Sequence, residues 1–310
     1  MKRLLCLLAV FSLIFSLAGC ENRKPVQETV FAMDTVMDLQ LWGADAQACS
    51  ESIAALLTEL DNTWPAAKET SLIGQLNAGK EVTLTEEQSR LLDRAEQLSK
   101  DTGGAFDPKM LSVSQAWGFY EKEYRIPTEE EITAALSDPK WDLGAALKGY
   151  AGDRAIAVLE NADVQCAILN LGGNIHTYGQ KANGTPWQIG IQNPAGGDPV
   201  GVVSVTCTMA VVTSGDYQRS FEADGKTYHH ILDPRTGYPA DSGLRSVTVV
   251  SEEGLTADCL STALFVMGLE EGTQFWRENR DFEAVFLTAD GKLYATEGVK
   301  LTGCAFEVIT

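Results

Sequence analysis

Between residues 229 and 265 lie two of the chain's three histidines, His229 and His230, two aspartates at sharp positions, Asp233 and Asp258, and the hydroxyls Ser261 and Thr262. Asp233-Pro234-Arg235-Thr236-Gly237 has the composition of a turn, since proline fixes φ and glycine accepts positive φ. Such a turn holds His230 and Asp233 in fixed directions. Residues 245–250 then read as a β-branched strand, after which the period changes. Leu255, Cys259, Leu260, Ala263, Leu264 and Met267 recur at helical spacing. Asp258 and Thr262 are four apart on that helix and share a face. A carboxylate beside a hydroxyl oxygen suits a hard cation such as Mg²⁺. A structural explanation competes, with Thr256 as N-cap, Asp258 complementing the helix dipole and Thr262 bonded back to a carbonyl. Spacing alone favours the structural explanation.

A second stretch places one charge among small residues. Residues 141–154 read WDLGAALKGYAGDR and lead into a helix expected over 150–160. A loop rich in Gly and Ala at a helix start lets backbone groups approach a phosphate or a metal, and Lys148 supplies a cation. Close packing is the other use of such residues. Ala105-Phe106-Asp107-Pro108 sets an aromatic beside an aspartate in a turn, where an Asx-turn before proline is the default.

The elements around these stretches are legible by period. A strand is expected over 30–41, a helix over 46–60 that Trp64-Pro65 ends, and a short helix from Leu72 to Asn77-Ala78-Gly79. Thr85 caps a helix whose apolar face is Leu91, Leu92, Ala95 and Leu98, and Gly103-Gly104 stops it. Residues 115–124 are aromatic and charged and read as surface or rim. Residues 128–136 form a short capped helix. Strands are expected over 166–171, 188–192, 200–205 and 209–213. A hairpin joins 283–287 to 292–296 around Ala289-Asp290-Gly291. Hairpins mixed with separate helices predict an α+β fold rather than a regular βαβ alternation.

Composition bounds the function. The chain has 310 residues, 45% hydrophobic, with a net charge of −19. That is a globular chain with a sizeable core, and its acidity argues against nucleic acid as a partner. Any phosphorylated ligand must be met by local cations, a metal or helix N-termini. Lys2 and Arg3 precede an apolar run over 4–17 that closes on Leu17-Ala18-Gly19-Cys20, the pattern of an export signal. Leu-Ala-Gly-Cys resembles the bacterial lipobox. The expectation is therefore a signal over 1–19, lipidation of Cys20, a polar tether to residue 28, and anchorage to the outer face of the cell membrane. Loss of 1–19 removes two cations and no anion, taking −19 to −21. Of seven cysteines, Cys49, Cys166, Cys207, Cys259 and Cys304 would remain, with no CxxC pair. An odd, scattered set argues against a disulfide framework and a zinc site.

In combination and in order, these motifs resemble the ApbE family of flavin transferases. The matching pieces are Met33-Asp34-Thr35, residues 71–77, Ala105-Phe106-Asp107-Pro108, Asp142-Leu143-Gly144 through Lys148-Gly149-Tyr150-Ala151, Asn170-Leu171-Gly172-Gly173, Thr213-Ser214-Gly215-Asp216-Tyr217, residues 230–237, and Ala257-Asp258 with Ser261-Thr262-Ala263. The resemblance implies a single mixed α/β domain of the ApbE type, T-fold-like, over 29–310. It implies transfer of the FMN half of FAD to a threonine of a target protein, with release of AMP and a requirement for Mg²⁺. It makes Asp258, Thr262, Ser261 and the Ala145 carbonyl metal ligands, which reverses the balance that spacing alone gave. Met33, Ala105, Phe106, Asp107, Asp142, Lys148, His230 and Ile231 become flavin-nucleotide contacts. Trp64 is the candidate aromatic to pack on the flavin. The implied targets are membrane redox subunits with an Asp-Gly-Ser/Thr-x-Thr type of sequence. Asp34 departs from the family's glycine, and Ala145-Ala146-Leu147 from its usual run.

Phosphoryl transfer from a pyrophosphate needs charge neutralisation and in-line placement. A base near the acceptor hydroxyl would help. His230 is the first candidate, with Asp233 and Asp258 as alternatives. A Mg²⁺-dependent FAD pyrophosphatase would use the same residues, and a flavin-carrying lipoprotein would not need the metal.

Overall fold

The structure is a computed structural model that describes residues 24–66 and 68–310. The expected signal and Cys20 lie outside the described residues. The chain opens on strands β1 (Val26–Ala32) and β2 (Thr35–Gly43), then helices α1 (Ala46–Thr63), α2 (Leu72–Asn77), α3 (Glu86–Asp101), α4 (Leu111–Ala116), α5 (Glu129–Leu136) and α6 (Leu147–Glu160). Strands β3 (Val164–Leu171), β4 (Asn174–Tyr178), β5 (Trp187–Ile191), β6 (Gly201–Val205), β7 (Met209–Gly215), β8 (Ser220–Ala223), β9 (Lys226–His229) and β10 (Leu244–Ser251) follow. Helix α7 (Gly254–Glu278) and strands β11 (Glu283–Thr288), β12 (Leu293–Thr296), β13 (Leu301–Thr302) and β14 (Glu307–Ile309) complete it.

Nine strands form one sheet in the order β1-β2-β3-β4-β7-β10-β11-β12-β14, and every pairing but the last is antiparallel. The α+β expectation holds. Strands β10 and β11 are apolar on both faces because both faces are covered. Val247, Val249, Ala284 and Phe286 join the core under α1, α6 and α7. Their neighbours Val250, Val285 and Leu287 face a second core, as the period of two requires. A small sheet of β13, β6 and β5 closes that second core. The active-site candidates all belong to the helix side.

Three differences from the sequence expectation bear on the site. The strand expected over 30–41 is a hairpin, folded at Met33 and Asp34 with φ of 51° and 62°. Asp34 tolerates the left-handed conformation but Met33 is an unusual residue for it and no glycine follows, so the turn carries little local signal. Val26 pairs with Leu41, so three residues assigned to the tether already belong to β1. Within residues 115–124 the surface expectation holds for the exposed 121–124 but not for the aromatics before them. Trp117 is fully buried and Phe119 is 2% exposed, in a small core with Val113, Ile132 and Leu232. Trp117 donates from its indole to the Gly237 carbonyl at 2.8 Å. This aromatic core fixes the turn after His230. Of the cysteines, Cys49, Cys166 and Cys259 are buried and Cys207 is exposed, and all five remaining thiols are free.

Candidate active site at the junction of two helices

Asp258 occupies the second turn of α7 and is 4% exposed. Its Oδ2 accepts the backbone N–H of Gly149 at 2.8 Å. That amide belongs to the first turn of α6, whose N–H groups have no intrahelical partner. Glycine alone permits this approach, because a Cβ at 149 would sit 2.1 Å from the Gly254 carbonyl oxygen. Oδ1 of Asp258 accepts no hydrogen bond among the described residues. One turn on, the Thr262 hydroxyl lies 3.3 Å from Ser214 Oγ at the end of β7. Ser261 is fully buried, bonded to Ser214 Oγ at 2.7 Å and to the Asp258 carbonyl at 2.9 Å. Its hydroxyl is engaged, which makes it a brace for the face that Asp258 and Thr262 present.

Within α7 the structural explanation for Asp258 and Thr262 does not hold, although Asp258 does complement the start of α6. The N-cap of α7 is Glu253, and the Thr256 hydroxyl bonds the Glu253 carboxylate instead of capping. Asp258 lies beyond the first turn, and Thr262 makes no bond back to a carbonyl. The helix start is complemented from α6, where Asp153 accepts from Gly254 N at 2.6 Å and from Leu255 N at 2.8 Å. Burial raises the Asp153 carboxyl to about 6, against the pull of those two amides.

The 141–148 segment is tied down from two sides. The Asn77 side chain closes a pair of bonds with the Trp141 backbone, donating to its carbonyl at 2.9 Å and accepting its N–H at 2.8 Å. The Asp142 N–H donates to the Pro108 carbonyl at 2.7 Å, which joins the 105–108 turn to the segment. Asp142 Oδ1 accepts the Gly144 N–H at 2.9 Å. The Leu147 N–H bonds back to the Leu143 carbonyl at 2.8 Å and the Tyr150 N–H to the Ala146 carbonyl at 3.1 Å. The Gly149 amide, which a longer helix would aim at Ala145, goes to Asp258 instead. The Ala145 carbonyl thus accepts no hydrogen bond among the described residues. The Asp258 carboxylate oxygen and the Thr262 hydroxyl lie one turn apart on α7, and the Ala145 carbonyl lies four residues before the amide that Asp258 accepts. This all-oxygen set can hold a hard cation.

Charge is concentrated beside this junction. Burial raises the Asp142 carboxyl, opposed by the Gly144 amide and by the cations Arg219 and Lys148. The same two cations act on His230. Its imidazole is pushed down to about 3, first by burial and then by Arg219, His229 and Lys148. His230 is therefore neutral, and its Nδ1 is buried without a partner among the described residues. The backbone N–H of His230 donates to the Arg219 carbonyl at 3.0 Å. Arg219 also lies 3.5 Å from Asp34, in the turn that carries Met33. Met33 itself donates its N–H to Asp61 Oδ1 at 2.7 Å. Arg219 had no motif to mark it in the sequence; its only signal was a cation just past the Thr213-Ser214-Gly215 strand end.

Several expected contacts are placed differently. Trp64 is 2% exposed in the main core with its ring against the edge of Tyr150, so it has no free face for a flavin. Ala105 and Phe106 are 3% and 2% exposed, in the main core. Asp107 makes the Asx-turn, accepting the Lys109 N–H at 2.8 Å. Ile231 is buried, and its carbonyl is taken by the Ala240 N–H. Asp233 is committed to Arg235 through both carboxylate oxygens, which removes it as a base. His229 lies 3.1 Å from the Ala240 carbonyl and edge-on to Phe265, a structural placement.

A family model for ApbE matches residues 33–286, from the Met33 turn into β11. The chain belongs to the ApbE family. Among its ApbE relatives, the FAD:protein FMN transferase of Klebsiella pneumoniae (strain 342) is 33% identical over 275 residues, covering 81% of this chain and 85% of that protein. The FAD:protein FMN transferase of Treponema pallidum (strain Nichols) is 30% identical, covering 83% and 81%. The ApbE crystal structure from Thermotoga maritima superposes with a TM-score of 0.82 at 31% identity, over 88% of this chain and 97% of that one. The apo flavinyl transferase ApbE of Pseudomonas stutzeri gives 0.75 at 29% identity, over 91% and 96%.

Proposed function

We propose that this ApbE protein is a FAD:protein FMN transferase, that its acceptor is a threonine hydroxyl, that AMP is the leaving group, and that Mg²⁺ is its cofactor. The observation that carries the reading is the α6–α7 junction, where the Gly149 amide binds one Asp258 oxygen, the other Asp258 oxygen and the Ala145 carbonyl accept no hydrogen bond among the described residues, and Thr262 follows one turn on. A single carboxylate with neutral oxygens fits Mg²⁺ that shares its remaining positions with substrate phosphates. No cluster of three or more His, Cys, Asp or Glu among the described residues offers an all-protein cage. When bound, Mg²⁺ would offset the pyrophosphate charge and polarise the phosphorus.

The chain's own residues supply the rest. Lys148 adds a cation in the first turn of α6, which the net charge of −19 makes necessary locally. Asp142 and the backbone of 105–107 line the nucleotide side. The acceptor oxygen bonds to the FMN phosphorus as the bond to the bridging oxygen breaks, and AMP leaves with that oxygen. His230, neutral and with an unpartnered Nδ1, takes the hydroxyl proton. The sequence pattern around Cys20 supports export and lipid anchorage, which suits acceptors among membrane redox subunits.

The test is mass spectrometry of a peptide carrying Asp-Gly-Ser-x-Thr, incubated with the signal-less protein, FAD and Mg²⁺. The expected result is a mass gain of one FMN that EDTA abolishes. Free FMN and AMP without an adduct would assign a pyrophosphatase. Intact bound FAD would assign a carrier.

A further inference from the structure

Helices α6 and α7 meet through a repeated device, of which the transfer chemistry uses one half. Each helix carries a glycine followed four residues later by an aspartate: Gly149 and Asp153 on α6, Gly254 and Asp258 on α7. Residues four apart share a helix face. The two pairs clasp each other. Asp258 Oδ2 accepts the Gly149 N–H at 2.8 Å, and Asp153 Oδ1 accepts the Gly254 N–H at 2.6 Å. Each aspartate thus serves an amide in the first turn of the opposite helix, where no intrahelical partner exists. The glycines let the backbones touch at the crossing. A Cβ at 149 would lie 2.1 Å from the Gly254 carbonyl oxygen, and a Cβ at 254 would lie 2.6 Å from that of Gly149. The halves differ in one respect. Asp153 commits its second oxygen as well, to the Leu255 N–H at 2.8 Å. Oδ1 of Asp258 accepts no hydrogen bond among the described residues.

We infer that Asp153 is a positioning residue for the metal site, the locked half of a clasp whose open half is Asp258. The inference rests on the metal reading proposed above. Two oxygens of one planar group hold two successive amides, which fixes where α7 begins and how it is turned against α6. Asp258 follows Gly254 by one turn and Thr262 follows by one more, so both inherit that register. A ligand set binds a cation well only when its surroundings hold it in place. Stability alone does not account for a charge at 153. Burial opposes the ionised carboxylate more than the Leu255 and Gly254 amides favour it, and a neutral side chain of the same shape escapes that cost.

The test is Mn²⁺ binding to the signal-less protein with FAD present and no acceptor peptide, followed by loss of the free-ion electron spin resonance signal and corrected for FAD alone. It compares the wild type with Asp153→Asn, and with Gly268→Ala as a variant altered away from the site. Thermal unfolding checks that each folds. Asp153→Asn should weaken Mn²⁺ binding by about 10–100-fold, the usual effect of removing a group that orients a metal ligand. Its rate of FMN transfer to the peptide should recover towards wild type as Mg²⁺ is raised. A merely structural role would lower the rate equally at every Mg²⁺ concentration and leave Mn²⁺ affinity alone. Gly268→Ala should bind Mn²⁺ as the wild type does. Asp153→Ser keeps one capping oxygen and takes the place of Asp153→Asn if that variant does not fold, with the same expectation. A folded Asp153 variant that binds Mn²⁺ within about twofold of wild type would overturn the positioning role and leave the metal site standing. A wild type that binds no more Mn²⁺ than FAD alone would overturn both.

Discussion

His176 and His230 differ in what their loss of solvent means. His176 sits against the α6 backbone, its Nε2 3.2 Å from Asn174 Oδ1, and burial lowers it to about 4. The unfolded chain takes up a proton near 6.5 and the folded chain only near 4, so His176 leaves stability whole above 6.5 and erodes it as pH falls towards 4. The full effect is on the order of 3 kcal/mol. Asp153 acts in the opposite sense. Its raised value makes the folded chain the better proton acceptor between 3.8 and about 6, which adds stability as pH falls. Melting temperatures of wild type and His176→Gln at pH 7 and pH 4.5 separate the two: the fall should be smaller in the variant. His230 faces the charged side of the site, and its depression to about 3 keeps it neutral through the physiological range. The transfer rate should therefore show no histidine limb between pH 5 and 8. His230→Gln should lower kcat by about 10²-fold, the usual worth of one proton-transfer group, with FAD affinity little changed. An unchanged kcat would move the base elsewhere.

At the scale of elements, the site is a defect shared by two helices. The Gly149 amide, an orphan of the first turn of α6, serves Asp258, and the Ala145 carbonyl accepts no hydrogen bond among the described residues. Gly149→Ala would drive a methyl into the Gly254 carbonyl. It should cost about 1–3 kcal/mol and reduce transfer far more than its loss of stability explains. Gly268 makes the contrast. It breaks α7 ten residues beyond Asp258 with φ of 79°, so Gly268→Ala should lower the melting temperature, by about 1 kcal/mol in stability, and leave transfer intact. These details were out of reach of the sequence, while their frame was not. The capping boxes at Thr85 and Thr128 form as read, because each is settled within four residues. The Asp258–Thr262 face was legible as a spacing, yet its partners Gly149 and Ser214 come from 109 and 47–48 residues away. The same holds for Trp117, whose burial depends on the Gly237 carbonyl and on aromatic residues of β8 and β9 far along the chain. A run of aromatics and charges such as 115–124 gives no period by which to see that in advance. Trp64 had the right chemistry for a flavin and the wrong side of the helix layer.

The whole molecule divides its labour by layer. The small sheet of β5, β6 and β13 seals one face of the nine-stranded sheet, and the metal-ligand candidates Ala145, Asp258 and Thr262 lie on or beside the helices of the other. No described helix is long and apolar enough to cross a membrane. A body of net charge −19 repels a pyrophosphate everywhere except where cations are gathered, and they are gathered on both sides of Asp142 and His230. The account therefore stands on one carboxylate recruiting the missing positive charge. The direct measurement is the yield of FMN-modified acceptor peptide, followed by mass spectrometry as Mg²⁺ is titrated, for wild type and for Asp258→Asn, both checked for folding. The account predicts a saturable Mg²⁺ dependence in the wild type and no adduct from the variant at any Mg²⁺ concentration. An Asp258→Asn protein that transfers FMN with wild-type rate and Mg²⁺ dependence would contradict it.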